Sequence, residues 1–251
     1  MMDPIAFNLG NISISWYGVM FGLGLLLCFI LWRKLGIEKG MDKITILELY
    51  LVTIVSIFIG CRVFYVVFYD LGYFLSNPLD IFFIWQGGLS SHGGLIFGTL
   101  GFYCYCRKKG LDFWKWADIA IIPMALVTGF IRIGNFLNGE LVGRITSVSW
   151  GVDFGDGFLR HPSQLYEAVK NFFIFGVLFS CRNLSMPRGS FYCSFIFMFS
   201  FLRFFTEFFK EYLVFSSGLT IGQWISLVLS IISGVILYLL FTKKLVLGKV
   251  N

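Results

Sequence analysis

The stretch Gly129 to Arg144, GFIRIGNFLNGELVGR, places Arg132, Asn135, Asn138, Glu140 and Arg144 at the end of a hydrophobic run that begins near Trp116. A charge at the centre of a membrane span costs roughly 2.5–3.5 kcal/mol on insertion scales, so such residues mark a function or a partner. Arg132 and Asn135 are three apart and share a helix face, which Asn138 extends. Gly139 and Gly143 let the backbone turn or come close to a ligand. An amide-and-guanidinium face at one end of a membrane helix suits a polar lipid head group. The competing explanation is a packing patch in which asparagines join helices. Other polar residues stand in equally apolar surroundings. They are His92 beside Gly93 and Gly94, Arg62, Gln164 with Glu167, Arg203 with Glu207, and Tyr17.

The elements that must position them follow from composition. Of 251 residues, 57% are hydrophobic and 20% aromatic, and only 14% are charged, against about 25% in a soluble domain. With a mean hydropathy of +0.81, the chain reads as an all-α integral membrane protein forming one polytopic domain over residues 1–251. Seven spans are expected, near 12–32, 44–69, 89–106, 116–138, 163–181, 190–209 and 220–241, the fourth interrupted by Pro123. The first is expected to be retained, because MMDPIAFNLG has no basic region and no cleavage site follows. Trp16 and Tyr17 sit where an aromatic belt would lie. Trp85, Gly87 and Gly88 mark an interfacial turn. Residues 139–160, rich in glycine, form the longest polar connection and are expected as an external loop. Pro162 opens the helix that begins at Ser163.

Lys and Arg sort by side. The connections after the first, third, fifth and seventh spans hold thirteen of them; the other connections hold Arg144, Arg160 and Lys210. The positive-inside bias then puts the N-terminus outside and the C-terminus in the cytoplasm. The net charge of +6 follows this topology and implies no nucleic-acid partner. The six cysteines show neither metal-ligand nor redox spacing, and two histidines do not make a zinc site, so no metal or other cofactor is implied. On this topology His92, Arg132, Glu140, Glu167, Arg203 and Glu207 all fall in the external half of the membrane or its interface. A polar chamber near the outer face gives them a reason to share one depth.

Two arginines in a low-dielectric cavity make a forked clamp for a phosphodiester. The same clamp stabilises charge on a departing phosphate. A histidine, titrating near about 6.5 when unperturbed, can take a proton from an incoming nucleophile. For His92 the alternative is a helix-end histidine bonded to a carbonyl. For Arg203 with Glu207 it is a structural ion pair, for Arg62 a pairing within the fold, and for Tyr17 the aromatic belt.

These pieces together resemble the prolipoprotein diacylglyceryl transferase family. The carriers are GFIRIGNFLNGELVGR, WYG at Trp16, GCRVFYVVFY around Arg62, WQGGLSSHGGL around His92, HPSQLYE at His161, FLRFFTEFF around Arg203 and IGQ at Ile221. The resemblance covers nearly the whole chain. It departs from the family pattern at Ile131, where a glycine is usual, at Phe199, where an aromatic hydroxyl is usual, and at Lys210, where an arginine is usual. It implies a multi-pass enzyme of the bacterial cytoplasmic (inner) membrane. Such enzymes move the diacylglyceryl group of phosphatidylglycerol to the lipobox cysteine of precursor lipoproteins and release glycerol phosphate. The partners implied are that lipid, those signal peptides and the surrounding membrane lipids. Catalytic candidates are Arg132 and Arg203 as phosphate clamp, His92 as base and Glu140 as the alternative base. Candidate substrate contacts are Tyr17, Arg62, Asn135, Asn138, Gly143, Arg144, Gln164, Glu167 and Glu207.

Two rivals stay open at the level of sequence. A transporter would also put charges inside spans, but it should show repeat symmetry and polar residues through the full depth. A non-catalytic lipid-binding protein would keep the arginines and need no base. The charge sorting generates a direct test. Reporter fusions after Lys109 and after Lys249 should both read cytoplasmic, and an external reading at either overturns the orientation.

Overall fold

The computed structural model describes residues 4–10, 12–83, 87–211 and 218–248, apart from the side chains of Ile12, Ser91 and His92. Trp85 and Lys249, to which the sequence reading gives roles, lie outside the described residues, as does most of the stretch after Lys210. The contacts fall into two compact units, Met1–Trp32 with Ala117–Asn251, and Arg33–Trp116.

Among the described residues, five helices are long and apolar enough to cross a membrane: Trp16–Glu38, Lys43–Phe68, Phe113–Leu137, Ser190–Phe209 and Ile221–Phe241. Here they are α1, α2, α5, α7 and α8. The short helix Leu71–Ser76 is α3, Ser91–Lys108 is α4 and Ser163–Cys181 is α6. The last stretch of the Ser190–Phe209 segment, Glu207–Phe209, tightens into a 3-10 turn, so α7 proper ends at Thr206. The two longer helices outside the group of five carry polar cargo. The α6 helix buries Gln164, Glu167, Lys170 and Asn171, and α4 carries His92, four glycines, Arg107 and Lys108.

Three boundaries differ from expectation. Ile12–Ser15 is a strand (β2), paired antiparallel with Ile5–Leu9 (β1), and the first helix begins at Trp16. Alternating apolar residues in ISIS fit an extended strand as readily as a helix start. The α5 helix runs unbroken through Pro123. A proline removes one backbone donor, but Pro123 is fully buried, and packing holds the helix through it. The connection at 139–160 contains a short antiparallel pair, Val152–Asp153 (β3) with Leu159–Arg160 (β4).

In the unit Arg33–Trp116, α2 and α4 pack at backbone contact. A Cβ on Gly93 would collide with the Gly60 carbonyl, one on Gly98 would come 2.6 Å from Ile57, and one on Gly101 would collide with Ser56. Small residues are what allow membrane helices to approach this closely. The space beside the glycines next to His92 is therefore filled by α2 backbone and side chains.

In the other unit α7 packs against α6 and α8. The α8 helix has its polarity reversed relative to a water-soluble helix. It buries Gln223, Ser226, Ser230 and Ser233, and it exposes Trp224, Val228, Ile231, Ile232 and Val235. Apolar out and small-polar in is the pattern of a helix whose outer solvent is hydrocarbon. The buried hydroxyls stay satisfied within the helix: Ser230 Oγ donates to the Ser226 carbonyl at 2.8 Å. The α1 helix approaches α5 at Gly24, where a Cβ would lie 3.1 Å from Phe130.

The N-terminus of α7 is held by a residue of α5. Asp118, buried, accepts from the Gly189 amide at 2.7 Å and from the Tyr192 amide at 2.9 Å. A carboxylate there satisfies donors that have no intrahelical partner and complements the helix dipole. Because α7 carries Arg203, this cap fixes the helix that delivers a site residue. Asp118→Ala should lower the stability of the folded protein by about 1–2 kcal/mol, seen as a reduced thermal midpoint in detergent. An unchanged midpoint would show that the cap is dispensable.

Candidate active site

The site grows from one buried carboxylate. Glu167, one turn into α6, is completely inaccessible, and three cations surround it. Lys210 Nζ lies 2.8 Å from Oε1, Arg132 Nε 3.1 Å from Oε2, and Lys170 Nζ 3.6 Å from the same Oε2. The Thr206 hydroxyl donates to Oε1 at 3.1 Å. Spacing explains how the sequence delivers them: Glu167 and Lys170 are three apart on one helical face, Arg132 comes from α5, and Lys210 follows the 3-10 turn after α7.

A second carboxylate continues the chain of charges. Glu207, 2% accessible, sits 3.6 Å from Lys210 Nζ and 3.7 Å from Arg203 Nη2. Its Oε1 accepts from the Thr220 hydroxyl at 3.3 Å. Thr220 is also the N-cap of α8, in a reciprocal capping box with Gln223. Gly222 is required here: any side chain on it would collide with the Glu207 carboxylate. The ion pairs thus run Arg132, Glu167, Lys210, Glu207, Arg203. The inner members are sealed, while the side chains of Arg132 and Arg203 keep 20% and 28% of their surface accessible. Within this chain of pairs, accessibility is therefore confined to the two arginine ends.

Lys170 and Lys210 are the participants to which the sequence reading gives no site role. The signal for Lys170 was available, namely a lysine inside a span three residues from a candidate glutamate. Its ammonium lies 4.1 Å from the centre of the Phe199 ring, a favourable cation–π arrangement. The aromatic residue that lacks the family's usual hydroxyl thus faces a cation.

The asparagines do something other than expected. Asn135 Nδ2 donates to Glu140 Oε2 at 3.0 Å, and Asn138 Nδ2 donates to Oε1 at 3.1 Å. Asn138 Oδ1 accepts from the Tyr17 amide at 3.2 Å, and Asn135 Oδ1 lies 3.5 Å from Arg132 Nη1. Both amide groups brace Glu140 and the start of α1, where the sequence reading has them orient lipid oxygens. Gln164 joins this brace, donating to the Glu140 carbonyl at 2.6 Å. The turn that swings Glu140 back over α5 uses Gly139 at φ +68° and Leu141 at φ +55°. For Tyr17 the contact is made by the backbone amide.

Gly143 and Arg144 stitch the connection to the end of α7. Gly143 bridges Lys210 in an antiparallel pair; a side chain there would come 2.6 Å from the Phe209 carbonyl. Its amide donates to the His161 carbonyl at 3.1 Å, and the Arg144 amide donates to the Phe209 carbonyl at 2.9 Å. Arg144 Nε donates to the Lys210 carbonyl at 2.8 Å. Arg160 seals the same junction through Asp156 at 2.6 Å and the Gly143 carbonyl at 3.1 Å. That pairing, outside the spans, holds the Asp156 carboxyl below its ordinary range.

Arg62 and His92 belong to the unit Arg33–Trp116. The Arg62 guanidinium donates to four backbone carbonyls: Asp80 at 2.5 Å, Ile81 at 2.8 Å, Gly87 at 2.8 Å and Gly88 at 3.0 Å. Phe74 covers it at 4.9 Å. Counted among head-group contacts in the sequence reading, Arg62 instead organises the segment that leads into α4. His92 stands in the first turn of α4, and its side chain lies outside the described residues.

Comparison with known proteins identifies the family. The family model described as "Prolipoprotein diacylglyceryl transferase" matches residues 4–240. Curated relatives carry the name phosphatidylglycerol–prolipoprotein diacylglyceryl transferase. One from Desulfotalea psychrophila is 40% identical over 199 residues, covering 75% of this chain and 71% of the relative. One from Bordetella parapertussis is 37% identical over 258 aligned positions, covering 97% and 96%. A third, from Geobacter sulfurreducens, is 37% identical over 200 residues, covering 78% and 77%. With a match over nearly its full length and helices built for a membrane, the chain belongs to the prolipoprotein diacylglyceryl transferase family.

Proposed function

We propose that this chain performs the transfer of its family by holding the phosphate of phosphatidylglycerol between the guanidiniums of Arg132 and Arg203. The observation that carries the reading is the ion-pair chain that buries two carboxylates and two ammoniums and leaves only its two arginine ends accessible. A guanidinium presents planar, paired donors that match phosphate oxygens. Held in place before the substrate arrives, such donors need no reorganisation as charge develops.

The acceptor in this reading is the lipobox cysteine thiol of a precursor lipoprotein. The thiol sulfur, as thiolate, attacks the glycerol carbon that bears the phosphate. A carbon–sulfur bond forms, the carbon–oxygen bond breaks, and its electron pair goes to the phosphate oxygen. The products are a thioether and glycerol phosphate. A free thiol near pKa 8.5 is mostly protonated at neutral pH, and His92 is the proposed acceptor of that proton. Glu140 is the weaker candidate, because Asn135 and Asn138 hold its two oxygens. A lipid-binding protein without chemistry would need only the clamp, and membership of a transferase family decides between the two.

The proposed setting is the bacterial cytoplasmic membrane, crossed seven times. In it α4 and α6 span beside the five helices that meet the length and hydropathy requirement, with the N-terminus outside.

Arg132→Ala and Arg203→Ala should each abolish thioether formation from labelled phosphatidylglycerol and a lipobox peptide, while the protein still inserts. Lys at either position should rescue poorly, because an ammonium cannot reproduce the fork. Near-normal transfer by either Ala variant removes that residue from the clamp. His92→Gln should slow transfer by about 10²–10⁴-fold, with the deficit shrinking as pH approaches the thiol pKa. A constant deficit across that range would reassign His92 to hydrogen bonding, and a normal rate would exclude both roles.

A further inference from the structure

The charges in this cluster do not balance. Four cations, Arg132, Lys170, Arg203 and Lys210, share two carboxylates, Glu167 and Glu207, a surplus of two positive charges. Widening the circle keeps the surplus. Glu140 enters through Asn135, and Arg144 enters through the Lys210 carbonyl. Lys170, Lys210, Glu167 and Glu207 expose at most 4% of their side chains, so the surplus of this inner group reaches the surface only at Arg132 and Arg203.

The phosphodiester of phosphatidylglycerol carries one negative charge. The phosphomonoester that leaves carries nearly two at neutral pH, because its second pKa is about 6. Lys170 decides which of these the surplus matches. It shares Glu167 Oε2 with Arg132 Nε, at 3.6 Å and 3.1 Å, so it weakens the hold of that carboxylate over Arg132. Without Lys170 the surplus would be one, matched to the substrate.

We infer that this site is matched to a phosphate dianion, and that Lys170 is a positioning residue that sets the match by acting through Glu167 on Arg132. The ligand class is a phosphomonoester, and the released product competes with the lipid. The inference rests on the clamp reading of Arg132 and Arg203. It adds an order of affinity that the clamp alone does not require: a small dianion binds more tightly than the deacylated head group.

The test uses the full chain in detergent micelles at pH 7.5, without acceptor peptide. Calorimetry measures binding of glycerol 1-phosphate, a dianion, and of glycerophosphoglycerol, the monoanionic diester with the same head group. The monoester should bind roughly tenfold tighter, the scale of one further charge acting over several ångströms at an effective dielectric near 20. Lys170→Met should bring the ratio close to one, and Lys170→Arg should restore it. In transfer assays glycerol 1-phosphate should raise KM for phosphatidylglycerol and leave kcat unchanged. Should Lys170→Met not fold, the pH dependence of the unmodified chain decides. The ratio must fall toward one between pH 7.5 and pH 5, as the monoester takes up a proton. The groups facing the ligand over that range are the two arginines, the two lysines and the carboxylates Glu140, Glu167 and Glu207. Equal or weaker binding of the monoester, failure of both ligands to bind, or an unchanged ratio in folded Lys170→Met overturns the inference. Transfer without dianion preference counts against this inference alone. Dianion preference without transfer supports it and counts against the proposed function alone.

Discussion

The structure of this site depends on a carboxylate that cannot stand alone. Glu167 is wholly inaccessible, and an ionised carboxylate taken out of water carries a penalty of several kcal/mol unless cations and donors surround it. Its partners come from α5, from its own helix and from the segment after α7. Satisfying one anion therefore forces three parts of the chain to converge. Glu207 repeats the arrangement against the N-terminus of α8 through Thr220. Buried ion pairs are poor sources of net stability, but removing one partner is costly. The network is best understood as a device that specifies position.

Position is what phosphate chemistry needs. A guanidinium in water must be collected and oriented at the moment of reaction. Here Glu167 holds Arg132 by its Nε, and Glu207 holds Arg203 by Nη2. Each arginine is anchored by a minority of its five donors, and the remainder of the planar fork is unclaimed by the carboxylates. The same economy appears in Arg62 with the opposite outcome. Four backbone carbonyls take its donors, so an arginine of the same type becomes a loop organiser. What distinguishes a clamp from a brace is how many donors the fold consumes.

Much of this was legible in the sequence. Among the described residues, five of the seven expected runs are helices long and apolar enough to cross a membrane, because period and length survive any tertiary arrangement; the other two correspond to the more polar α4 and α6. The polar residues at spacings of three and four, Arg132 with Asn135, Gln164 with Glu167 and Arg203 with Glu207, do lie on helical faces. Sequence spacing says which residues share a face and is silent on what stands opposite. It could not show that Asn135 and Asn138 turn to Glu140. That contact depends on a turn in which a non-glycine, Leu141, adopts positive φ. Nor could it show that Arg62 is engaged by four carbonyls, because these acceptors are backbone groups 18 to 26 residues away. The hairpin of Ile5–Leu9 with Ile12–Ser15 escaped for a local reason: four alternating residues beside a long apolar run are absorbed into the run.

The residues around the two buried carboxylates act together. A hydroxyl at position 199 could have donated a hydrogen bond; Phe199 cannot. What its ring can do is stabilise a cation, and Lys170 lies against it at 4.1 Å. The same ammonium leans on Glu167, so in this chain compensation of that carboxylate is carried by charge. Lys210 acts the same way. A lysine is a compact point charge on a flexible stem, and here it reaches both Glu167 and Glu207. A planar fork would serve one carboxylate with better geometry, whereas a point charge can serve two. Lys170 and Lys210 thus compensate the two buried carboxylates by charge, beside the hydroxyl donors of Thr206 and Thr220, and the guanidiniums stand at the two ends of the network.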